Sequence, residues 1–120
     1  RNTALVRSGA ATLHRGDGVA LPVADHCQDA VLSVHNLYFW ADPEDTIAEI
    51  ARVLRPGGRV LLVFRSREHP LPNRLAPAVY ADITTDQCLA WLASAGLNGQ
   101  RHTPDSTHPE ISFVLAWHSP

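Results

Sequence analysis

Two short, valine-rich apolar runs separated by an amphipathic helical pattern constrain the fold more than any other feature of the sequence. The runs are residues 29–34 (DAVLSV) and 60–64 (VLLVF). Apolar runs of this length are typical of strands that are covered on both faces of a sheet. Between them, apolar residues recur at the spacing of one helix face, at Ile47, Ile50, Ala51 and Leu54. Strand, helix and strand in this order predict a parallel pair within an α/β fold.

The ends of the central helix carry local signals. Asp42 is a good N-cap residue, and Pro43 fits the first helical position. Glu44 and Asp45 place carboxylates in the first turn, where the helix dipole favours them. At the other end, Pro56-Gly57-Gly58 predicts that the helix stops after Arg55.

Further elements are predicted on either side of this unit. Before it, we expect a helix at 2–8 that stops at Gly9, a strand at 10–13 and a loop at 21–28. After it, a long proline-containing connection spans 65–81.

The C-terminal third is expected to hold one helix and two strands. Thr84 and Gln87 form a capping box, and the apolar face of the helix that follows is Leu89, Leu92 and Ala93. Strands are predicted at 100–103 and 111–117, paired antiparallel at the sheet edge. In the last strand Ile111, Phe113, Leu115 and Trp117 share one face.

Composition and charge exclude several classes of function. The chain has 120 residues, enough for one domain, and a net charge of −2 without a dense basic patch, so no nucleic-acid partner is indicated. No apolar run approaches the roughly 20 residues that cross a bilayer. Two cysteines, Cys27 and Cys88, do not suggest a disulfide scaffold, although a single disulfide stays open. We expect a cytoplasmic protein. Because the chain begins at Arg1 and lacks methionine, we also expect that it is truncated or processed at its N-terminus.

Three segments, taken in order, resemble the class I S-adenosylmethionine-dependent methyltransferases, in particular their small-molecule branch. They are 16–18 (GDG) with the Leu-Pro at 21–22, then 29–33 (DAVLS), then 49–58 (EIARVLRPGG). The resemblance implies a Rossmann-like fold with a mostly parallel sheet and an antiparallel C-terminal strand. It places residues 1–120 as a partial domain, from the third to the seventh strand of that fold. It also implies S-adenosylmethionine as the cofactor.

The resemblance assigns the adenine contact to Asp17 and Gly18. A carboxylate at the end of a strand can accept a hydrogen bond from an exocyclic amine, and a glycine N–H can face a ring nitrogen. On its own the Gly-Asp-Gly triplet is more commonly a plain turn. With the other two segments in register, cofactor binding is favoured.

The end of the strand at 29–34 is implied to lie beside the methionine part of the cofactor, through Val34 and His35. His35 is also the candidate general base, because histidine titrates near neutral pH. A histidine held by loop hydrogen bonds is the slightly favoured alternative. Many methyl transfers need no base, since holding the acceptor in line supplies much of the rate.

Two further residues are candidates for the substrate pocket. Tyr38 belongs to an aromatic exit from the strand, in which Phe39 and Trp40 are expected instead to pack the following helix onto the sheet. Arg65 follows the strand at 60–64, where it either contacts the acceptor or is solvated. No histidine and cysteine pair has ligand spacing on a common element, so no metal site is predicted.

Two features of the family are absent from the sequence. The glycine-rich turn after the first strand and the acidic residue that holds the ribose would precede Arg1, so the isolated chain is expected to be inactive. A second copy of the chain could cover the sheet edges that this leaves. The alternatives are a non-enzymatic half-domain that acts as a binding module, and a nicotinamide-dependent dehydrogenase half. The dehydrogenase alternative lacks support, because Gly-Asp-Gly followed by Leu-Pro is not a phosphate-binding loop.

Overall fold

The order of elements follows the predicted alternation of helix and strand. A computed structural model describes residues 3–12, 19–34, 37, 40–65, 84–102 and 111–120. Its elements are α1 (Thr3–Arg7), β1 (Gln28–Val34), α2 (Pro43–Val53), β2 (Leu54–Arg65), α3 (Thr85–Ser94), β3 (Asn98–His102) and β4 (Ile111–Trp117). Among these residues, no helix is both long enough and apolar enough to span a membrane.

The four strands form one mixed sheet in the order β1-β2-β4-β3. β1 and β2 are parallel, with Val31 opposite Val60 and Val34 opposite Val63. β4 runs antiparallel to both β2 and β3. Three strands therefore share one direction and only the C-terminal strand opposes them. The predicted α/β sheet and the antiparallel pairing of the last two strands are confirmed.

Both helices that pack on the sheet begin where their capping residues predict. Asp42 accepts the N–H of Asp45 at 3.3 Å, with Pro43 at the first helical position. Thr84 and Gln87 form the reciprocal capping box. The apolar stripe of α2 is buried as predicted.

The apolar face of α3 differs from the prediction. Cys88 and Leu92 are fully buried together with Thr85, whereas Ala93 is exposed. The buried face includes Thr85, whose hydroxyl lies 2.7 Å from that of Ser112 on β4, within hydrogen-bond distance. Burial raises the pKa of the Cys88 thiol to about 12. Cys27 is exposed and both cysteines are free.

The prediction that Pro56-Gly57-Gly58 ends the central helix after Arg55 is wrong. The helix ends at Val53, and the Pro-Gly-Gly lies inside β2. Gln28 pairs with Leu54 and Ala30 pairs with Arg59, so four residues of β2 but only one residue of β1 lie between these two pairs. Gly57 has φ of +79°, and a Cβ on Gly58 would lie 2.8 Å from the carbonyl oxygen of Arg55. The two glycines therefore form an irregularity of the strand.

The predicted strand at 10–13 is also wrong for the part that the structure describes. Residues 10–12 lie in no strand, and Leu13 lies outside the described residues. The N–H of Ala11 instead donates to the carbonyl of Leu5 at 3.0 Å, and Gly9 adopts φ of +82°. These residues cap α1, so their backbone groups are not available to a sheet.

The core lies on one face of the sheet, where α2 and α3 pack against alternate residues of β2 and β4. In β4 the buried residues are Ser112, Val114 and Ala116, whereas the predicted apolar set at 111, 113, 115 and 117 is only half-buried on the opposite face. On that opposite face of β1, Leu32 and Val34 are 65% and 45% exposed. The face without α2 and α3 is thus apolar and partly open.

Candidate functional site

The carboxyl ends of β1 and β2 meet at one edge of the sheet, as expected for parallel strands. Val34 is the last residue of β1 and pairs with Val63, two residues before Arg65 at the end of β2. Val34 is substantially exposed and Arg65 is half-buried. The structure therefore brings two of the predicted site residues to the same edge, where ligands bind to open α/β sheets.

The other predicted site residues lie outside the described part of the chain. They are Asp17, Gly18, His35 and Tyr38. Of the aromatic exit from β1, the structure describes Leu37 and Trp40. Leu37 is fully buried in the core, and Trp40 packs against the same core. The expected packing role of Trp40 is confirmed, and Leu37 belongs to the core as well.

A buried carboxylate on α2 was not identified from the sequence. Glu49, on α2, is only 8% exposed. It accepts the backbone N–H of Leu21 and two hydrogen bonds from the guanidinium of Arg52, at 2.5 Å from Nε and 2.8 Å from Nη2. These bonds, led by that from Arg52, hold the pKa of Glu49 below its ordinary value although burial opposes the shift. Glu49 is therefore ionised at neutral pH.

The guanidinium of Arg52 also holds the loop that leads into β1. Its Nη1 donates to Asp25 at 2.5 Å, and its Nη2 donates to the carbonyl oxygens of Leu21 and Val23 at 3.1 and 3.0 Å. Two hydrogen bonds raise the pKa of Arg52, and the one to Glu49 has a larger effect than the one to Asp25. One side chain thus joins α2 to three residues of this loop.

The same loop caps the C-terminal end of α2. The N–H groups of His26 and Cys27 donate to the carbonyls of Arg52 and Val53, both at 2.9 Å. The His26 ring Nδ1 lies 3.1 Å from the carbonyl oxygen of Leu54. His26 has φ of +51°, a left-handed conformation that these contacts maintain. The helix runs into β2 without a glycine cap because the loop satisfies its last carbonyls.

The sequence contained only part of the signal for this network. Glu49 and Arg52 are three residues apart on a helix, a spacing at which side chains can pair. Nothing in the local pattern identifies Leu21, Val23 and Asp25 as partners, because they lie 27 to 31 positions from Arg52. Within the described residues, no three histidine, cysteine or acidic side chains are grouped so that they could hold a metal ion.

Comparison with known proteins identifies similar sequences and folds. A family model described as a methyltransferase domain matches residues 2–62. An uncharacterized methyltransferase of Mycobacterium tuberculosis is 46% identical over 56 residues, which make up 47% of this chain and 23% of that protein. The chain thus spans about a quarter of the length of the curated relatives that match it at this identity.

Solved structures with this fold include two proteins of low sequence identity. The YcgJ protein of Bacillus subtilis matches with a TM-score of 0.73 at 12% identity, covering 98% of this chain and 76% of that one. A Burkholderia thailandensis 1,6-didemethyltoxoflavin-N1-methyltransferase with bound 1,6-didemethyltoxoflavin and S-adenosylhomocysteine matches with a TM-score of 0.62 at 20% identity, covering 85% and 48%. These likenesses confirm the Rossmann-like fold that the sequence motifs imply.

Proposed function

The chain belongs to the methyltransferase domain family, and we propose that it transfers a methyl group from S-adenosylmethionine to a small-molecule acceptor. The observation that carries the proposal is the parallel pair β1–β2, whose carboxyl ends bring Val34 and Arg65 to one edge of the sheet. This edge is where an α/β sheet of this kind holds its ligand. The proposal concerns the whole protein, of which these residues supply one side of the site.

In this proposal the cofactor is held by residues at the strand ends. Asp17 accepts a hydrogen bond from the adenine amino group, and the Gly18 N–H faces a ring nitrogen. Val34 and His35 lie beside the methionine part. Among the described residues, Val34 is compatible with this cofactor, because its exposed apolar side chain at the strand end can contact the methylene groups of the methionine part. The S-adenosylhomocysteine bound to the Burkholderia methyltransferase supports this choice of cofactor.

The catalytic contribution of the chain is mainly positioning. S-Adenosylmethionine supplies a methyl group on a positively charged sulfur, which needs little further activation. Tyr38 and Arg65 line the acceptor side in this proposal and hold the nucleophilic atom in line with that group. Where the acceptor carries a proton, His35, which directly follows β1 in the sequence, is the candidate base that removes it.

Calorimetric titration with S-adenosylhomocysteine tests the proposal. The protein translated from the complete open reading frame is compared with its Asp17→Ala and Asp29→Ala variants. Asp29 is the control because its exposed carboxylate pairs with Arg55 near the opposite end of β1. We expect Asp17→Ala to weaken binding by at least about tenfold, the loss of one charge-assisted hydrogen bond, and Asp29→Ala to bind normally.

Two results would contradict the proposal. If the parental protein does not bind S-adenosylhomocysteine, the chain is better described as a binding module without methyltransferase activity. If Asp17→Ala binds as tightly as the parental protein, the adenine contact is assigned to the wrong residue.

We also propose that a second copy of the chain covers the edge of β1. Within the described residues β1 pairs only with β2, and Leu32 and Val34 are exposed beside its open edge. Exposed apolar edge strands are favourable sites for association.

A further inference from the structure

The hydrogen bonds of Arg52 set it apart from an ordinary surface ion pair. All three guanidinium nitrogens donate, to the Glu49 carboxylate, the Asp25 carboxylate and the carbonyl oxygens of Leu21 and Val23. The planar guanidinium fork matches this set of acceptors in a way that a lysine ammonium cannot. Because two acceptors are main-chain carbonyls, Arg52 fixes the backbone of the loop and not merely its charge.

Arg55, which lies three residues further along the chain in β2, provides the contrast. Its contact with Asp29 involves two exposed side chains, and it makes no contact with the loop among the bonds that the structure describes. Exposed pairs of this kind contribute little to stability. Glu49, in contrast, is buried, so the removal of Arg52 would leave a buried carboxylate without its main partner.

The hydrogen bonds by which Arg52 and Glu49 hold the loop at 21–27 are called the clamp below. The clamp lies close in sequence to residues of the proposed cofactor site. Leu21 is bonded through both its N–H and its carbonyl, to Glu49 and Arg52 respectively. It lies three residues after Gly18 in the sequence, so the loop that the two bonds fix directly follows the residues of the proposed adenine contact. The other end of the loop is fixed by the bonds of His26 and Cys27 to the end of α2.

We infer that Arg52 and Glu49 are positioning residues for the cofactor site: they hold the loop at 21–27 against α2 and act through its backbone on the adenine contact that the proposed function assigns to Asp17 and Gly18. This inference rests on the proposed function. Neither residue contacts the cofactor in this scheme. Their effect is exerted through the loop backbone, so it is measured as cofactor affinity while the protein remains folded.

The experiment compares Arg52→Gln, Arg52→Lys and the control Arg55→Gln, each made in the protein translated from the complete open reading frame. S-Adenosylhomocysteine affinity is measured by calorimetry well below the thermal midpoint of each variant. Amide hydrogen exchange is followed in the peptide that covers residues 19–28, and circular dichroism reports the folded fraction.

Arg52→Gln should accelerate exchange in residues 19–28 and weaken S-adenosylhomocysteine binding by at least about tenfold, as expected for lost charge-assisted hydrogen bonds. Arg52→Lys keeps the charge beside Glu49 but not the fork, so its affinity should fall between those of the parental protein and Arg52→Gln. It also serves as the informative variant if Arg52→Gln does not fold. Arg55→Gln should match the parental protein in both measurements.

Unchanged exchange in Arg52→Gln would overturn the clamp itself. Faster exchange with parental affinity would overturn its role in positioning the site and leave it as a purely structural contact. Failure of the parental protein to bind S-adenosylhomocysteine would overturn the proposed function and the positioning role together, and the exchange data would still decide whether the clamp exists.

Discussion

At the scale of single residues, two buried threonines on neighbouring helices have opposite environments. Thr46, on α2, is buried and its hydroxyl makes no hydrogen bond to any of the residues that the structure describes. Thr85, on α3, is equally buried, but its hydroxyl is bonded to that of Ser112. A buried hydroxyl without a partner destabilises a protein, whereas a bonded one does not.

The same substitution at these two positions should therefore change stability in opposite directions. Thr46→Val should raise the free energy of unfolding by about 1 kcal/mol, because it replaces an unbonded hydroxyl by a methyl group of similar size. Thr85→Val should lower it by about 1–2 kcal/mol, because it leaves the Ser112 hydroxyl buried without a partner. Urea denaturation of the two variants measures both effects. Changes of the same sign would contradict these assignments.

Gly58 is a second position where the structure sets a sharp requirement. A Cβ there would lie 2.8 Å from the Arg55 carbonyl oxygen and 3.1 Å from that of Gln28, both main-chain atoms that cannot rotate away. Gly58→Ala should lower the free energy of unfolding by about 1–3 kcal/mol, the usual cost of overpacking. Gly99→Ala is the control, because its nearest neighbour is the end of the Leu89 side chain. Equal losses in thermal unfolding would argue against the tight approach of β2 to β1.

At the scale of elements, the contact between α2 and the preceding loop makes stability depend on pH. The pKa of Glu49 is lowered in the folded protein, chiefly by the bond from Arg52. The unfolded chain then binds a proton more readily, so this stabilisation is present above the ordinary glutamate pKa, about 4.3. It is lost as the pH falls from there through the lowered pKa.

Glu49→Gln should remove this part of the pH dependence. We expect the variant to be less stable than the parental protein at pH 7. We also expect its free energy of unfolding to fall less between about pH 5 and about pH 3. Chemical denaturation at the two pH values measures the difference. An identical pH profile for the two proteins would show that Glu49 does not contribute.

The starts of the helices could be predicted because caps are local. Asp42 and Thr84 act within three residues of the amides that they bond. The junction of α2 with β2 could not, because it depends on the pairing of β2 with β1 and on carbonyls that the loop at 21–27 satisfies. The strand expected at 10–13 failed for a related reason. A strand exists only with a partner, and the backbone of Ala11 is already bonded to α1.

The candidate site was predictable to the same extent. The order strand, helix, strand predicts that β1 and β2 are parallel. The location of Val34 and Arg65 at one edge of the sheet could therefore be predicted from the sequence. The roles of Asp17, Gly18, His35 and Tyr38 remain predictions, since these residues lie outside the described part of the structure. The clamp of Arg52 on Leu21 and Val23 involves main-chain acceptors, which leave no trace in side-chain pattern.

At the scale of the whole molecule, the sheet has one covered face and one partly open face. α2 and α3 bury their apolar residues on the first, whereas Leu32 and Val34 are exposed on the second, beside the edge of β1. Exposed apolar residues on an edge strand promote association between molecules. This arrangement is the basis for the proposed second copy.

The proposal predicts that the 120-residue chain associates in a concentration-dependent way and that Leu32→Lys reduces this association. A buried lysine at such a contact would be desolvated without a partner. Sedimentation velocity measures the effect, and Ala48→Lys, on the exposed side of α2, adds the same charge away from the open face. Monomeric behaviour of the parental chain, or equal effects of the two lysines, would contradict the proposal.

The central claim, that the carboxyl edge of the sheet forms one side of an S-adenosylmethionine site, is tested most directly by mapping amide chemical shifts during titration with S-adenosylhomocysteine. The protein translated from the complete open reading frame should show shifts concentrated at Val34 and in the loop at 19–23. Gly57 and His118, at the opposite edge, should not shift. Shifts centred on that opposite edge, or no shifts at saturating ligand, would contradict the account.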